Sequence, residues 1–387
     1  MARPDTLQIA QPAAEPLAES VARPRGAMHV VHVTEPLTES VLAFLVRVIA
    51  ELDDLGLQQT LVFTRRPETS EEVFRLLQHR VRLIELPPAT GWHIDFARAL
   101  TKALQELAAA PGPLAVHLHA ANTGLIGRFA IATLRGRAAC FYTPHGLPLL
   151  NPRRPVARAI AWALERLAGR LPIAPVGYGV GEARVLASVC RRPAFVLEHP
   201  IDDVFFEVRH AETTPPVVIT TGRAAEHNAP ELFAHLALRF EIDESPTSFV
   251  WAGGGDVNQE ALLRAGGVRV TGRLSPHEIA HALSSAAIYV QTSFWEGMPL
   301  SVIHAMAVGL PCVVSNVVGH RDVLVHGKTG FLVRDLEDLE RHVRWLLEEP
   351  ELRQRLGAAA RREALSRFSR EHFRAALRQL YGVGRTR

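Results

Sequence analysis

Residues 296–299 (Glu-Gly-Met-Pro) combine a carboxylate with a tight turn, and helix-forming residues follow from Leu300. The apolar run at residues 287–291 precedes them and predicts a buried strand. A turn that leads into a helix directs unpaired backbone N–H groups and the positive helix end at whatever lies above it. Because a carboxylate accepts hydrogen bonds from hydroxyls, the segment suits a ligand with a phosphate at one end and a sugar at the other.

A second candidate, Arg223, follows the predicted strand 217–221 through Gly222, which places it at the carboxyl end of that strand. A guanidinium there can bind two phosphate oxygens and stabilise the charge of a departing phosphate group. His145 follows the predicted strand 138–142, and His119 ends the predicted strand 114–118. A satisfied structural histidine is an equally good interpretation of His119.

Other clusters do not predict a cofactor or a metal. The glycines at residues 253–255 do not form GxGxxG and lack the downstream acid of a dinucleotide site, so we interpret them as a turn. The acidic pairs at residues 53–54 and 202–203 are interpreted as solvated surface. The sequence therefore predicts metal-independent chemistry that needs no cofactor.

Several segments together resemble the retaining, nucleotide-sugar-dependent glycosyltransferases of family four. The family motif EGxPLxxxEAMAxGxPV stands here as residues 296–300 (Glu-Gly-Met-Pro-Leu), 304–307 (His-Ala-Met-Ala) and 309–313 (Gly-Leu-Pro-Cys-Val). The likeness extends over nearly everything after residue 27 and includes residues 117–119, 123–128, 141–146, 318–324 and 326–333. The resemblance implies an α/β protein of the GT-B fold, with two Rossmann-like doubly wound domains that face each other across a cleft.

The resemblance also assigns roles to residues of this chain. It implies that three catalytic side chains orient the sugar and stabilise the leaving diphosphate: His145, Glu296 and Arg223. It implies a donor-binding set: Asn228, Leu274, Gly297, Met298, Pro299, Leu300 and His304. For the acceptor side it points to three residues: Thr34, Glu35 and His119. The implied donor is a UDP- or GDP-type sugar, and the implied acceptor is a hydroxyl of a glycan, a lipid-linked intermediate or a small molecule, as in polysaccharide or glycoconjugate synthesis.

Three positions depart from the family pattern. Asn228 stands where the family has a lysine, and His304 stands where its second glutamate binds ribose. Residues 34–40 replace a glycine-rich loop. An active hexosyltransferase with an altered donor site fits this pattern, and so does a catalytically impaired GT-B protein that binds a partner or a glycan. A third reading is another GT-B activity, such as a sugar-nucleotide epimerase.

Charge is unevenly distributed along the 387 residues, although the net charge is only +3. Between residues 128 and 192 there are eleven arginines and two acids. Residues 153–170 alternate arginines with Trp162, Leu164 and Leu167 at helical spacing. This pattern predicts either a basic amphipathic helix on an anionic membrane or anionic acceptor, or an ordinary surface helix. No nucleic-acid partner is expected.

Composition agrees with a globular protein of two domains, since 48% of residues are hydrophobic and 21% are charged. Three widely separated cysteines favour a reduced setting, so we expect a cytoplasmic protein that can lie peripherally at the inner face of the membrane. Composition and alternating strand and helix patterns predict these parts: a disordered leader (1–26), a first domain (27–209), a linker (210–216), a second domain (217–367) and a terminal helix (368–387). The family resemblance implies that this terminal helix crosses back to the first domain.

The predicted strands of the first half are residues 28–33, 59–63, 81–86, 114–118, 138–142, 172–175 and 194–197. Those of the second half are residues 217–221, 247–251, 268–270, 288–291, 312–314 and 330–333. One helix start is well marked, because Ser275 can cap a helix over residues 276–284, Pro276 fits its first turn and Glu278 completes a capping box.

Overall fold

A computed structural model describes residues 28–35, 39–65, 74–75, 77–87, 94–145 and 155–383. The predicted leader at residues 1–26 lies outside these residues. So do Arg153 and Arg154 of the predicted basic helix.

The first sheet has seven parallel strands in the order β3-β2-β1-β4-β5-β6-β7. The strands are β1 His29–Thr34, β2 Gln58–Thr64, β3 Arg82–Leu86, β4 Leu114–His119, β5 Ala138–Thr143, β6 Ala174–Gly177 and β7 Phe195–Val196. The helices are α1 Glu39–Asp54, α2 Ile94–Ala109, α3 Ala121–Ala132, α4 Pro155–Ala168 and α5 Val180–Cys190. Apolar side chains of α1 bury one face of the sheet, and those of α2, α3 and α5 bury the other.

The second sheet has six parallel strands in the order β10-β9-β8-β11-β12-β13. They are β8 Val217–Thr221, β9 Ser248–Ala252, β10 Arg269–Val270, β11 Ile288–Gln291, β12 Cys312–Ser315 and β13 Gly330–Val333. In each sheet the first strand lies inside and the chain winds outward in both directions. Such sheets bind ligands at the carboxyl ends of their strands, where the winding direction changes.

The helices of the second half are α6 Val204–Glu207, α7 Pro230–Ile242, α8 Val257–Ala265, α9 Pro276–Ser284, α10 Leu300–Val308, α11 Val318–Val323, α12 Leu336–Glu348, α13 Pro350–Phe368 and α14 Arg370–Tyr381. A 3-10 turn, Glu226–Asn228, precedes α7. The predicted capping box of α9 is confirmed, because Ser275 accepts from the Glu278 N–H while the Glu278 carboxylate accepts from the Ser275 N–H. No helix within the described ranges is long and apolar enough to cross a membrane.

The chain passes between the domains earlier than residue 209. Ile201 and Phe205 are buried in the core of the second domain, so residues 201–208 pack there and not in the first domain as the sequence analysis expected. The expected linker at residues 210–216 is bonded to the second domain, where the N–H of Ala211 donates to the Ser284 carbonyl at 2.8 Å. The polar sequence around Pro215 predicted a domain boundary later than the observed one. The boundary is set instead by the packing of the short helix α6 on the second domain.

The last helix, α14, lies on the first domain. Phe373, Leu377 and Tyr381 are buried in the core that includes α1. Arg374 pairs with Glu51 at 2.6 Å and with Asp54 at 2.9 Å. Asp54 was expected to be solvated surface; it is partly exposed but serves as an ion-pair partner across these two helices.

Contacts across the two domains fix how their sheets face each other. The backbone N–H of Gly181, at the start of α5, donates to the Asp322 carboxylate of α11 at 2.8 Å. The backbone N–H of His199 donates to Met298 Sδ at 3.3 Å. Arg47 of α1 pairs with Asp202 at 2.6 Å, so this acid too is a partner and not free surface.

Candidate active site

Glu296 is held by side chains at the end of β11. Ser293 Oγ lies 2.8 Å from Glu296 Oε1, and Gln291 Nε2 donates to the same oxygen at 3.2 Å. The Gln291 amide is fixed in turn by Ser301 Oγ, which donates to its oxygen at 2.8 Å. Burial raises the pKa of Glu296 to about 7, against the opposite effect of its hydrogen bonds to Ser293 and Gln291. Its carboxyl group is therefore oriented and titrates near neutrality.

The turn before α10 leaves the helix start free of side-chain caps. Pro299 occupies the N-cap position without a side-chain hydrogen bond, and the first turn contains no acidic residue. The turn lies close on α11, because a Cβ at Gly319 would be 2.7 Å from the Gly297 carbonyl oxygen. An uncapped helix start presents N–H groups and a partial positive charge to a ligand.

Arg223 is exposed at the carboxyl end of β8, and Asn228 fixes its loop. Asn228 Nδ2 donates to the Arg223 carbonyl at 2.7 Å, and Asn228 Oδ1 lies 3.2 Å from Ser293 Oγ. The Asn228 side chain is buried and occupied by these contacts. The structure thus places Asn228 as a tie between the Arg223 loop and the Glu296 network.

The glycines at residues 253–255 have a role that the sequence analysis missed when it interpreted them as a turn. A Cβ at Gly253 would lie 2.0 Å from the Gly222 carbonyl oxygen, and one at Gly255 would lie 2.3 Å from that of Ala224. These glycines let the loop after β9 pack directly on the loop that carries Arg223. Their position at the end of a strand adjacent to β8 was the available signal.

Two donor-site candidates lie at the core of the second domain. Leu274 is partly buried against that core. His304, one turn into α10, stacks face to face on Phe205, with ring centroids 3.8 Å apart and planes 5° apart. Burial, followed by the nearby Arg47 and His199, lowers the pKa of His304 to about 3. His304 is therefore a neutral, stacked imidazole near the domain boundary.

The first domain contributes a row of histidines on one face of its sheet. His32 of β1 pairs in register with His117 of β4, and His119 lies two residues further along β4. His119 Nδ1 is 2.8 Å from His145 Nε2, and His32 Nδ1 is 3.2 Å from His119 Nε2. Tyr178 hydrogen-bonds His145 Nδ1. His145 has φ = 55°, a conformation uncommon outside glycine, so its backbone is locally strained.

Burial keeps these histidines neutral. It lowers the pKa of His32 to about 4 and that of His145 to about 3. The pKa values of His117 and His119 also fall well below the usual value, again chiefly through burial. His119 and His145 were predicted from sequence and His32 was not, although the alternation of His32 with apolar residues on a predicted strand was a signal.

Phe44 and Met298 connect the two halves of the site. The Phe44 ring lies 5.2 Å from those of His145 and Tyr178. Met298, in the turn that follows Glu296, packs against both the second-domain core and the first-domain cluster that contains Phe44. The structure therefore brings the His145 end of the first sheet next to the Glu296 turn of the second.

The acceptor-side candidates Thr34 and Glu35 are buried at the end of β1. The N–H of Glu35 donates to Thr123 Oγ1 at 2.7 Å, and that hydroxyl donates to the Glu35 carbonyl at 3.1 Å. This reciprocal pair anchors the start of the glycine-poor loop to α3. Residues 36–38 of the loop lie outside the described residues.

One group within the described part of the chain could hold a metal ion, where the sequence analysis expected none. Each of His32, His117 and His119 offers a ring nitrogen, and these nitrogens lie within 4.8 Å of one another. His117 also hydrogen-bonds the Tyr381 hydroxyl at 2.6 Å and Thr143 Oγ1 at 2.9 Å. Coordination would require these rings to give up hydrogen bonds that they already make.

Two family models match the chain, one in each domain. Glycosyl transferase 4-like domain matches residues 41–172, and Glycosyl transferases group 1 matches residues 202–363. The second match begins within the segment that packs in the second domain, in agreement with the observed crossing near residue 200.

Curated relatives share part of the chain. An Escherichia coli protein, UDP-Gal:alpha-D-GlcNAc-diphosphoundecaprenol alpha-1,3-galactosyltransferase, is 25% identical over 261 residues, which are 60% of this chain and 65% of that protein. Sulfoquinovosyl transferase SQD2 of Arabidopsis thaliana is 30% identical over 181 residues, which are 43% of this chain and 35% of that protein. The matches thus span between about a third and two thirds of these relatives.

Solved structures share the whole architecture. Anabaena HepE, in complex with UDP and glucose, superposes with a TM-score of 0.70 at 14% identity, over 92% of this chain and 99% of that one. Sucrose-phosphate synthase of Thermosynechococcus elongatus superposes with a TM-score of 0.71 at 17% identity, over 92% and 98%. The predicted GT-B fold is confirmed. The chain therefore belongs to the GT-B glycosyltransferases, with a glycosyl transferase 4-like domain followed by a group 1 domain.

Proposed function

We propose that this protein is a retaining, metal-independent glycosyltransferase that moves a sugar from a UDP- or GDP-sugar to a hydroxyl of a lipid-linked or glycan acceptor. One observation carries the proposal: Glu296, held by Ser293 and Gln291, stands at an uncapped helix start, next to a loop that presents Arg223. The Escherichia coli relative, whose name gives a UDP-Gal donor and a diphosphoundecaprenol-linked acceptor, supports the donor and acceptor classes.

Each part of the site has a task in the transfer. The start of α10 and the exposed Arg223 guanidinium bind the diphosphate and stabilise its charge as the bond from the sugar C1 breaks. Glu296 accepts hydrogen bonds from sugar hydroxyls. Met298 bounds the sugar from the turn that follows Glu296, and His145 bounds it from the first domain. The acceptor oxygen bonds to C1 on the face that the diphosphate leaves, and the acceptor proton passes to a departing diphosphate oxygen.

Nucleotide binding is the first test. UDP or GDP at about 100 times its Kd should raise the free energy of unfolding by about 2.7 kcal/mol, because it binds only the native state. Arg223→Ala should weaken that binding about ten- to a hundredfold through loss of a charge-assisted contact. Arg98→Ala, in an exposed ion pair on α2, is the matched control and should leave the affinity unchanged.

Transfer is the second test. Incubation with a panel of labelled nucleotide sugars and undecaprenyl-diphosphate-linked or glycan acceptors should give a labelled product whose anomeric configuration matches that of the donor. Nucleotide binding without transfer from any sugar of the panel would favour the alternative, a catalytically impaired GT-B protein. Absence of binding by either nucleotide would refute the proposed donor class.

The proposed location is an anionic membrane surface, contacted through α4. Trp162 is 47% exposed and Leu167 is 54% exposed, although both are large and apolar. Arg158 and Trp162 line a groove of about 610 Å³ between α4 and α5, together with Arg184. An exposed apolar stripe flanked by arginines suits insertion at the level of anionic headgroups.

Vesicle sedimentation tests this location. The triple variant Arg158→Gln, Arg166→Gln and Arg170→Gln should bind phosphatidylglycerol vesicles at least tenfold more weakly, since each arginine contributes about 1 kcal/mol near such a surface. A control triple variant on the second domain, Arg264→Gln, Arg269→Gln and Arg334→Gln, has the same net charge and should bind like the wild type. Equal loss in both triples would show that only net charge matters.

A further inference from the structure

Two buried polar atoms near the first-domain histidines have no conventional hydrogen-bond partner among the described residues. They are His32 Nε2 and Gln59 Oε1. The register pairs Gln59 with Val30, so Gln59 and His32 are diagonal neighbours on one face of the sheet. The Gln59 side chain lies within interaction range of the His32 ring and raises its pKa against the larger effect of burial. A hydrogen bond between these two atoms requires that one of them carries a hydrogen.

The orientation of the Gln59 amide determines which of the two atoms carries the hydrogen. Its Nε2 donates to the Ile49 carbonyl at 2.9 Å, which fixes the amide and leaves Oε1 as an acceptor toward His32. The hydrogen must therefore be on His32 Nε2. A neutral imidazole has one donor nitrogen and one acceptor nitrogen, so His32 Nδ1 is then an acceptor.

That choice propagates along the row. His32 Nδ1 accepts from His119 Nε2, which makes His119 Nδ1 an acceptor for His145 Nε2–H. His145 Nδ1 is then an acceptor for the Tyr178 hydroxyl. Every link has one donor and one acceptor in this direction. If each histidine instead donated in the opposite direction, His32 Nε2 would carry no hydrogen. It and the Gln59 oxygen would then be two buried acceptors next to each other.

We propose that four side chains form a positioning relay that fixes His145 in its Nε2–H tautomer: Gln59, His32, His119 and Tyr178. Both ring nitrogens of His145 are then used inside the protein, and its ring is held rigidly beside Phe44. The relay fixes how the residue that follows β5 meets the sugar. It moves no proton during transfer and acts only by position. The importance of the relay for catalysis rests on the function proposed above, whereas the assigned tautomers are independent of that function.

Nuclear magnetic resonance reads the tautomers without any substrate. The full chain, labelled with ¹⁵N-histidine, should show Nε2–H signals for His32, His119 and His145 at pH 7, assigned through single His→Gln substitutions. These signals should persist at pH 5, since burial holds the pKa values of His32 and His145 at about 4 and 3. An Nδ1–H tautomer or an imidazolium at any of the three would overturn the relay.

Substitutions at its two ends test its direction. Gln59→Met removes the terminal acceptor and should give mixed tautomers at His145, three links away, with kcat reduced roughly fivefold and the donor KM nearly unchanged. Tyr178→Phe removes only the final donor, so the tautomers should remain Nε2–H. Gln105→Met, on the exposed face of α2, is the surface control. Unchanged tautomers in a folded Gln59→Met variant would refute the assignment.

A metal ion is the competing explanation of the cluster. Purified protein should contain no stoichiometric zinc, and treatment with a chelator should leave the three histidine signals in place. One zinc per chain, with histidine signals that change when it is removed, would overturn the relay in favour of coordination. Loss of transferase activity alone, with Nε2–H tautomers intact, would count against the proposed function and not against the relay.

Discussion

The side chain of Asn228 donates a hydrogen bond to the backbone carbonyl of Arg223 at 2.7 Å. Its oxygen lies 3.2 Å from Ser293 Oγ, which also contacts Glu296. A lysine in this position would offer a charge to a ligand, whereas the buried carboxamide joins the loop of one candidate residue to the support of another. Relative to the lysine that the family resemblance implies at this position, Asn228 offers hydrogen bonds between the two loops in place of a positive charge.

Removal of this tie should weaken nucleotide binding. Asn228→Ala leaves the Arg223 carbonyl without its donor and loosens the loop, so we expect about a tenfold loss of UDP affinity and about 1–3 kcal/mol lower stability. Calorimetric titration and urea denaturation measure both effects. Asn258→Ala, on an exposed turn of α8, is the control. Wild-type affinity in Asn228→Ala would mean that the tie does not position Arg223.

A carboxylate at position 304 should strengthen nucleotide binding. The Arg47 charge that helps to keep His304 neutral would favour an ionised glutamate in its place. One carboxylate can accept from two ribose hydroxyls, whereas a neutral imidazole accepts through one nitrogen. We expect His304→Glu to lower the UDP Kd about tenfold and His304→Gln to change it little. Equal or weaker binding by the glutamate variant would show that ribose does not reach this position.

The buried pair beneath α4 should dominate the stability of that helix. Arg128 Nη2 donates to Glu165 Oε2 at 2.6 Å, and the Tyr142 hydroxyl donates to Glu165 Oε1 at 2.7 Å. Glu165→Ala leaves an unpaired buried guanidinium, so we expect a loss of about 3–5 kcal/mol in chemical denaturation.

Partial recovery should follow when the charge is removed as well. The double variant Glu165→Ala with Arg128→Met should regain much of the stability lost in the single variant. Glu106→Gln, which breaks an exposed pair with Lys102, should cost less than about 1 kcal/mol. A double variant no more stable than the single one would mean that lost packing, and not the unpaired charge, causes the defect.

Local patterns were enough to predict the sheets but not the contacts between strands. Apolar runs gave strands 217–221, 288–291 and 330–333 with the observed ends. The run at residues 172–175 was placed two residues too early, since β6 is Ala174–Gly177 and the apolar residues before it belong to the connection. Apolar character alone does not mark where pairing with a neighbour begins.

The candidate site also has residues that local sequence patterns predict and others that depend on contacts between elements. Glu296 and Arg223 could be proposed from sequence because each lies within five residues of the end of a strand that the pattern predicts. The interaction between His32 and Gln59 could not be predicted from sequence, because their proximity depends on the register between β1 and β2. The stacking of His304 on Phe205 depends on where the chain crosses between the domains, which the sequence placed too late.

Donor binding should depend on the ionisation of Glu296. Burial raises the pKa of this carboxyl from 4.5 to about 7 in the folded chain. The native state therefore holds a proton that the unfolded chain releases, so this group's contribution to stability falls as pH rises from about 4.5 to 7 and is constant above. Conversely, the carboxylate that accepts from sugar hydroxyls accumulates as pH rises through 7. We expect the donor KM to fall several-fold between pH 6 and 8.

Glu296→Gln separates these effects, because the amide cannot ionise. Its donor KM should be higher and nearly independent of pH over the same range, and its stability relative to wild type should increase from pH 5 to pH 7.5 by about 1–3 kcal/mol. Ser245→Ala, remote from the site in the turn before β9, should keep the wild-type profile. A pH profile that survives unchanged in Glu296→Gln would assign the titration to another group, and the buried Glu182, whose pKa burial also raises to about 7, would be the next to substitute.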